Sequence, residues 1–338
     1  MKKVLAVAAM LLLQMSAWAQ EPGKPELNRP DPPMLGLHWA RGAQPEARTN
    51  NAGPGGVGRS PNLTYHGGLL MTTTTVVESI FWGPKWSSSP TWVDDKVAGL
   101  NDFYSQVSGT TYAITNIEYK NSSGAPVSSA VSYQGIHSDG TLTPTKAPTT
   151  SAVLARVCAN ISSPVANGYY PVYTDIRRGN AGYCAWHSWG TCNSVNVQFG
   201  FFFDLDNDAG CSSGDYTDQR APTDNLPTAG LASLISVTGH ELSEVMTDPR
   251  GTGWYDAQGY ENSDKCAWDF GGQLIQIGSS KWKIQGNWSN AAYDSTTRGY
   301  KNDKGQKGCI DGGAYKYPNR NPMSQEAART LARPFLLL

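Results

Sequence analysis

The sequence predicts an α+β protein, with a sheet-rich first lobe, a long helix packed on it, and a turn-rich, disulfide-stabilised C-terminal part. Three observations lead there. Runs rich in Val, Ile, Thr and aromatic residues, bounded by Gly, Pro, Asn and Ser, recur between residues 69 and 205. One long stretch of helical apolar periodicity follows and stops at Pro249. Beyond it the chain is dense in Gly, Asn, Asp and Ser, and it carries the last two of six cysteines.

The chain opens on Lys2 and Lys3, an apolar run from Val4 to Leu13, and the small residues of Ala17-Trp18-Ala19. This is the pattern of a secretory signal over 1–19, cleaved near Ala19, and it implies a secreted or periplasmic protein. No later run is long and apolar enough to span a bilayer, so no retained membrane anchor is expected. Loss of Lys2 and Lys3 from the 27 Lys and Arg leaves 25 against 28 Asp and Glu, a mild excess of acid. With no basic cluster, nothing points to a nucleic-acid partner. An even number of cysteines in an exported chain implies disulfides, whose pairing the sequence leaves open.

Residues 20–65 are rich in Pro, Gly, Asn and Arg, with little apolar periodicity. They read as a disordered arm or linker, a pro-segment that masks a site being the alternative. The domain is expected over 66–315, with a C-terminal tail at 316–338. It starts with a strand from Leu69 to Phe81, broken by Gly83-Pro84. Apolar residues at 93, 97, 100, 103, 104 and 107 give a helix over Trp92–Val107, which Gly109 stops. Strands are expected at Tyr112–Tyr119, Val127–Tyr133, Tyr169–Thr174 and Val195–Leu205, and a strand or short helix at Ala152–Ala159.

The late helix runs from about Thr228 to Thr247. Leu231, Leu234, Ile235, Leu242, Val245 and Met246 form its apolar stripe. His240 and Glu244, one turn apart and about 40° apart around the axis, converge on one point, with Glu241 to the side. Metalloproteases of the His-Glu-x-x-His kind use this spacing, with two ligands at i and i+4 and a glutamate beside the attacking water. Here Glu244 stands in place of the second histidine, and a carboxylate is a competent zinc ligand. Glu261 is the expected third ligand, with Asp264 as the other candidate or as a group that orders the loop, which a disulfide at Cys266 would pin. His187, placed in a loop, is a candidate ligand or oxyanion stabiliser as well as a structural histidine. Asp204, Asp206 and Asp208 partly mimic a structural calcium loop, although Ala209 replaces its glycine; a polar turn after a strand is the alternative.

Several segments together resemble the EXORDIUM, or phosphate-induced protein, family and its bacterial relatives. They are Tyr65-His66-Gly67-Gly68, Ile80-Phe81-Trp82-Gly83, Gly182-Tyr183-Cys184-Ala185-Trp186-His187, His240 to Pro249, Gly253-Trp254-Tyr255 and Glu261 to Cys266. The resemblance spans roughly 65–312 and implies an extracellular protein. It supplies no established reaction, and only the bacterial relatives share the His-Glu pair. The order of sheet, motif helix and irregular lobe is similar by analogy to zincin proteases.

The function expected is a secreted zinc-dependent hydrolase. Zn²⁺ would be held by His240, Glu244 and Glu261, and Glu241 would act as general base on an extracellular peptide or cell-wall substrate. The competing expectation is a non-catalytic extracellular binding protein, carbohydrate-directed through its many aromatic residues.

Overall fold

The computed structural model describes residues 31–44, 60–213, 228–295 and 298–317. The chain divides at residue 31, and every element below belongs to the unit Pro32–Leu338. The expected signal peptide, most of the expected arm and nearly all of the expected tail lie outside the described residues.

In chain order the elements are β1 (Leu35–Trp39), β2 (Thr64–Tyr65), β3 (Thr75–Trp82), single-turn helices α1 (Lys85–Ser88) and α2 (Pro90–Val93), then α3 (Lys96–Gln106) and β4 (Val131–Asp139). These are followed by α4 (Thr150–Asn160), β5 (Gly168–Arg177), β6 (Tyr183–Cys192), β7 (Val195–Asp204), α5 (Ala229–Thr247) and β8 (Trp254–Tyr255). Short strands and turns complete the C-terminal part. The α+β class and the multi-stranded sheet match the sequence reading.

Six strands form one sheet in the order β1-β6-β7-β5-β3-β4. β4, β3, β5 and β7 run parallel; β6 is antiparallel to β7, and β1 antiparallel to β6. The parallel strands read as nearly continuous apolar runs because both faces are covered. Leu154 of α4 packs against Gly190 on one face, and α5 crosses the other, against β6, β7 and β1. A two-residue turn, Asn193 and Ser194, joins β6 to β7; both have positive φ, as that tight hairpin requires.

Three expectations need correction. Residues 112–119 form a 3₁₀ turn at Ala113–Asn116 rather than a strand. There Thr115 Oγ1 donates to the Tyr112 carbonyl, a local bond that competes with strand pairing. His187 lies in the middle of β6, not in a loop. The arm drawn over 20–65 contains β1 at its centre and β2 at its end. Leu35, Leu37 and Trp39 alternate with Gly36 and His38, and the chain gains enough from pairing with β6 to order there. The two-way choice at 152–159 resolves to a helix, α4, capped by Thr149.

All six cysteines pair: Cys158–Cys192, Cys184–Cys211 and Cys266–Cys309. The first two fix β6 to α4 and to the loop after β7. The third pins the 261–266 loop, as Cys266 suggested. No helix among the described residues is long and apolar enough to cross a membrane.

Candidate metal centre

α5 is capped by Thr228, whose hydroxyl accepts from Leu231 N–H, and it ends at Asp248 before Pro249. Every residue from Gly230 to Thr247 is buried. The polar side of the helix therefore does not face water, and the acidic residues are not merely hydrated. Gly239 lets the C-terminal part close on this face, because a Cβ there would stand 2.3 Å from Ile284 Cδ1 and 2.6 Å from Tyr112 Oη. His240, Glu241 and Glu244 are thus held between the sheet and the C-terminal loop.

The structure brings six other residues to these three. β6 delivers His187, whose Nδ1 lies 3.4 Å from Glu241 Oε2 and 3.7 Å from Glu244 Oε2. The 261–266 loop delivers Glu261, 3.9 Å from His187 Nε2, and Asp264, 3.6 Å from His240 Nε2. His240 Nε2 and Glu244 Oε1 are 3.1 Å apart. His38 and Gly36 come from β1, and Gln285 from the C-terminal part. Ligating atoms converge in two groups, each within 4.8 Å: His240, Glu244 and Asp264, and His187, Glu244 and Glu261. Glu244 belongs to both. All five expected site residues beyond Glu241 therefore meet, but Asp264 stands with His240 while Glu261 stands with His187.

What these atoms lack is informative. His187 Nδ1, His240 Nε2, both Glu241 oxygens, Glu244 Oε2, Glu261 Oε2 and Asp264 Oδ1 have no hydrogen-bond partner among the described residues. Lys265, next to Asp264 in sequence, turns instead to Asp256 at 2.7 Å. Burial, then mutual repulsion with Glu244 and Asp264, pushes Glu241 well above the usual carboxylate range. Burial does the same to Glu244, Glu261 and Asp264. Burial also drives the two imidazoles down to about 3, so both are neutral and carry a free lone pair at pH 7. Unpaired buried carboxylates cost several kcal/mol each. A divalent cation satisfies neutral imidazoles and carboxylates together.

The tautomers follow from the surrounding bonds. His187 Nε2 faces the Asp248 carbonyl at 3.2 Å and donates to it, which leaves Nδ1 as the free ligand atom. Gln285 governs His240. As placed, its amide nitrogen donates to the Ser263 carbonyl (3.2 Å) and to His240 Nδ1 (2.8 Å), and its oxygen accepts from Trp268 N–H and His38 Nε2. That arrangement puts the His240 proton on Nε2. Cation binding at Nε2 requires the proton on Nδ1, and the Gln285 amide must then turn over to accept it, at the expense of its bonds to the Ser263 carbonyl and the Trp268 N–H. His38 can yield, because its own Nδ1 faces the Trp39 carbonyl at 3.4 Å. Gln285 thus couples the proton positions of two imidazoles in tilted contact, their centroids 4.1 Å apart.

Gly36 was not foreseen as part of the site. Its φ is +47°, and a Cβ there would fall 2.1 Å from Glu244 Oε2 and 2.4 Å from His187 Nδ1. Only bare backbone fits at that point. Gln285 has no sequence signal, since nothing near it marks a site. His38 had one: it sits in the alternation of β1.

The aspartates that resembled a calcium loop are otherwise engaged. Asp206 pairs with Lys96 (2.7 Å), Asp208 takes Arg178 on both oxygens (2.8 and 2.9 Å), and Asp204 accepts from Trp92 Nε1. Among the described residues they form no converging ligand group.

No protein-family model, curated protein or solved structure matches this chain, so the geometry of the site is the ground for its function.

Proposed function

We propose that this protein is an exported, divalent-cation-dependent hydrolase that cleaves peptide bonds. The observation that supports this reading is the convergence of unpartnered imidazole nitrogens and carboxylate oxygens in one buried place. In this reading His240, Glu244 and Asp264 hold the cation, and the helix is zincin-like. Imidazole with carboxylate suits zinc better than calcium or magnesium. Three disulfides and the family resemblance accord with export.

A zinc ion bound there would polarise a carbonyl and acidify water. Glu241 has the His38 N–H beside it and no side-chain hydrogen-bond partner, so it is placed to take the proton of the attacking water and return it to the leaving amine. Asp264 is oriented by the Glu261 N–H, which donates to its Oδ2 at 3.1 Å. Glu244 is oriented by the Asp264 N–H, which donates to its Oε1 at 3.0 Å. The geometry favours Asp264 over Glu261 as the third ligand of the His240 group. His187 and Glu261, on the other oxygen of Glu244, form a second position. Charge favours filling it, since four carboxylates balance two divalent cations.

One observation favours a second reading, a scaffold with a structural cation: none of the ligating side chains exceeds 9% exposure. Glu241→Gln separates the two. An enzyme keeps its zinc, measured by elemental analysis, and loses on the order of 10²–10⁴-fold in hydrolysis of labelled casein. A scaffold keeps its zinc and hydrolyses nothing before or after the change.

A further inference from the structure

The site is covered, and the cover is β1. Leu35 pairs with His187, His38 with Ala185, and Trp39 with Tyr183, so β1 lies antiparallel on the edge of the strand that supplies a ligating histidine. Between the first two pairs β1 has one more residue than β6, and the left-handed Gly36 takes up the excess over the metal centre. A cavity of about 300 Å³ follows the other side of β1, lined by Leu35, Gly36, Asp248, Tyr255, Glu261 and Asp264.

We propose that the segment around β1 is a built-in blocker. It occupies the edge of β6 where an extended polypeptide substrate pairs, and it holds the centre closed until it leaves. The word substrate rests on the hydrolase reading above; occupancy of the edge does not. Four features carry the inference. A strand edge stripped of β1 presents unpaired N–H and C=O groups at Ala185 and His187, which an extended backbone satisfies regardless of its side chains. At Gly36 β1 passes Glu244 and His187 with backbone alone, as a chain threading a cleft would, and two residues on its His38 ring packs against His240. The turn at Gly36 lifts that backbone out of extended geometry, which distinguishes a blocker from a chain presented for cleavage. Finally, β1 precedes every disulfide: the bridges fasten β6, α4 and the 261–266 loop to the body, and none reaches β1.

The segment is held by the buried His38, which bonds Gln285 and packs against His240 and Trp268, by Ala40 in the core, and by a set of bonds to its backbone. Ser188 Oγ donates to Pro33 O and Thr150 Oγ1 to Pro32 O, both at 2.6 Å. Trp268 Nε1 donates to Trp39 O at 2.8 Å, and Ala40 N–H to Gly182 O at 2.9 Å. These bonds can be exchanged for equivalent ones to another chain.

The test folds the full chain with a specific endoprotease site placed within 45–59, then nicks it. Elemental analysis, hydrolysis of labelled casein, and binding of a fluorescent peptide of residues 32–42 are followed. The expected result is that the N-terminal piece leaves, zinc stays, and hydrolysis rises about 100-fold, as for a segment bound about 99% of the time. The peptide should rebind and be displaced by casein. A nicked protein that has lost the piece, keeps zinc, and neither rebinds the peptide nor speeds up overturns the proposal. So does a piece that comes off only when the whole domain unfolds. If the peptide rebinds and casein displaces it while no hydrolysis occurs in any form, the blocker stands and the hydrolase reading falls.

Discussion

Gly36→Ala puts the crossing of β1 over the candidate metal centre to a quantitative test, with Gly42→Ala as its matched control. Both glycines have positive φ, +47° and +71°. A Cβ at Gly42 meets nothing within 4 Å, whereas at Gly36 it would stand 2.1 Å from Glu244 Oε2. Both changes therefore carry the left-handed penalty of roughly 1–2 kcal/mol, and only Gly36→Ala adds the cost of overpacking, about 1–3 kcal/mol. A five-residue edge strand gains little more than that from pairing, so β1 should detach while the body stays folded. Hydrogen exchange on the full chain reads this directly. In Gly36→Ala the amides that bond across β1 and β6 should exchange at least about 10-fold faster, the ratio expected for each 1.4 kcal/mol; in Gly42→Ala they should change less. Limited trypsin digestion at Arg41 should follow the same order. If both variants protect β1 equally, the close approach at Gly36 is not real and the covering of the site has to be rethought.

Other consequences follow from the same geometry. Glu244→Gln removes one buried charge, so in chelator it should melt above the wild type, and in excess zinc below it. Zinc at about 100 times Kd stabilises the wild type by about 2.7 kcal/mol, or roughly 5–10 °C for a domain of this size. Calorimetry with and without zinc checks that reversal. Gln285→Leu should weaken zinc binding about 10–100-fold by removing the acceptor that the turned-over Gln285 amide offers His240 Nδ1–H, as titration calorimetry would show. Away from the site, burial raises Glu118 from 4.5 to about 7, against the donors Ser289, Asn290 and Ala291. The folded chain then holds that proton more tightly than the unfolded one. Its contribution is present below the unfolded value and declines as pH rises from about 4.5 to about 7, by up to ~3 kcal/mol. Denaturant titrations across that range should lose this slope in Glu118→Gln.

Much of the site was legible because its core obeys helical spacing. His240, Glu241 and Glu244 lie on one continuous element, and Glu261 and Asp264 return within a short, disulfide-pinned loop. The parallel strands were legible through their aromatic and β-branched runs. His187 was visible as a residue but not as a strand residue. Gly190 and two cysteines interrupt the alternation of β6, which closes as a strand only through β7 and two disulfides. His38, Gly36 and Gln285 come from segments far apart in sequence, and only the packing of α5 brings them together. The 20–65 region misled because its composition is that of a linker while seven residues within it lie in paired strands, five in β1 and two in β2. Propensity averaged over a long window cannot register a strand that short.

A crystal of the full chain grown with zinc, measured on both sides of the zinc absorption edge, tests the centre most directly. The account predicts an anomalous peak at coordination distance from His240 Nε2, Glu244 and Asp264, with the Gln285 oxygen facing His240 Nδ1. No peak there, with ordered water bonded to those side chains in a well-folded molecule, would contradict it.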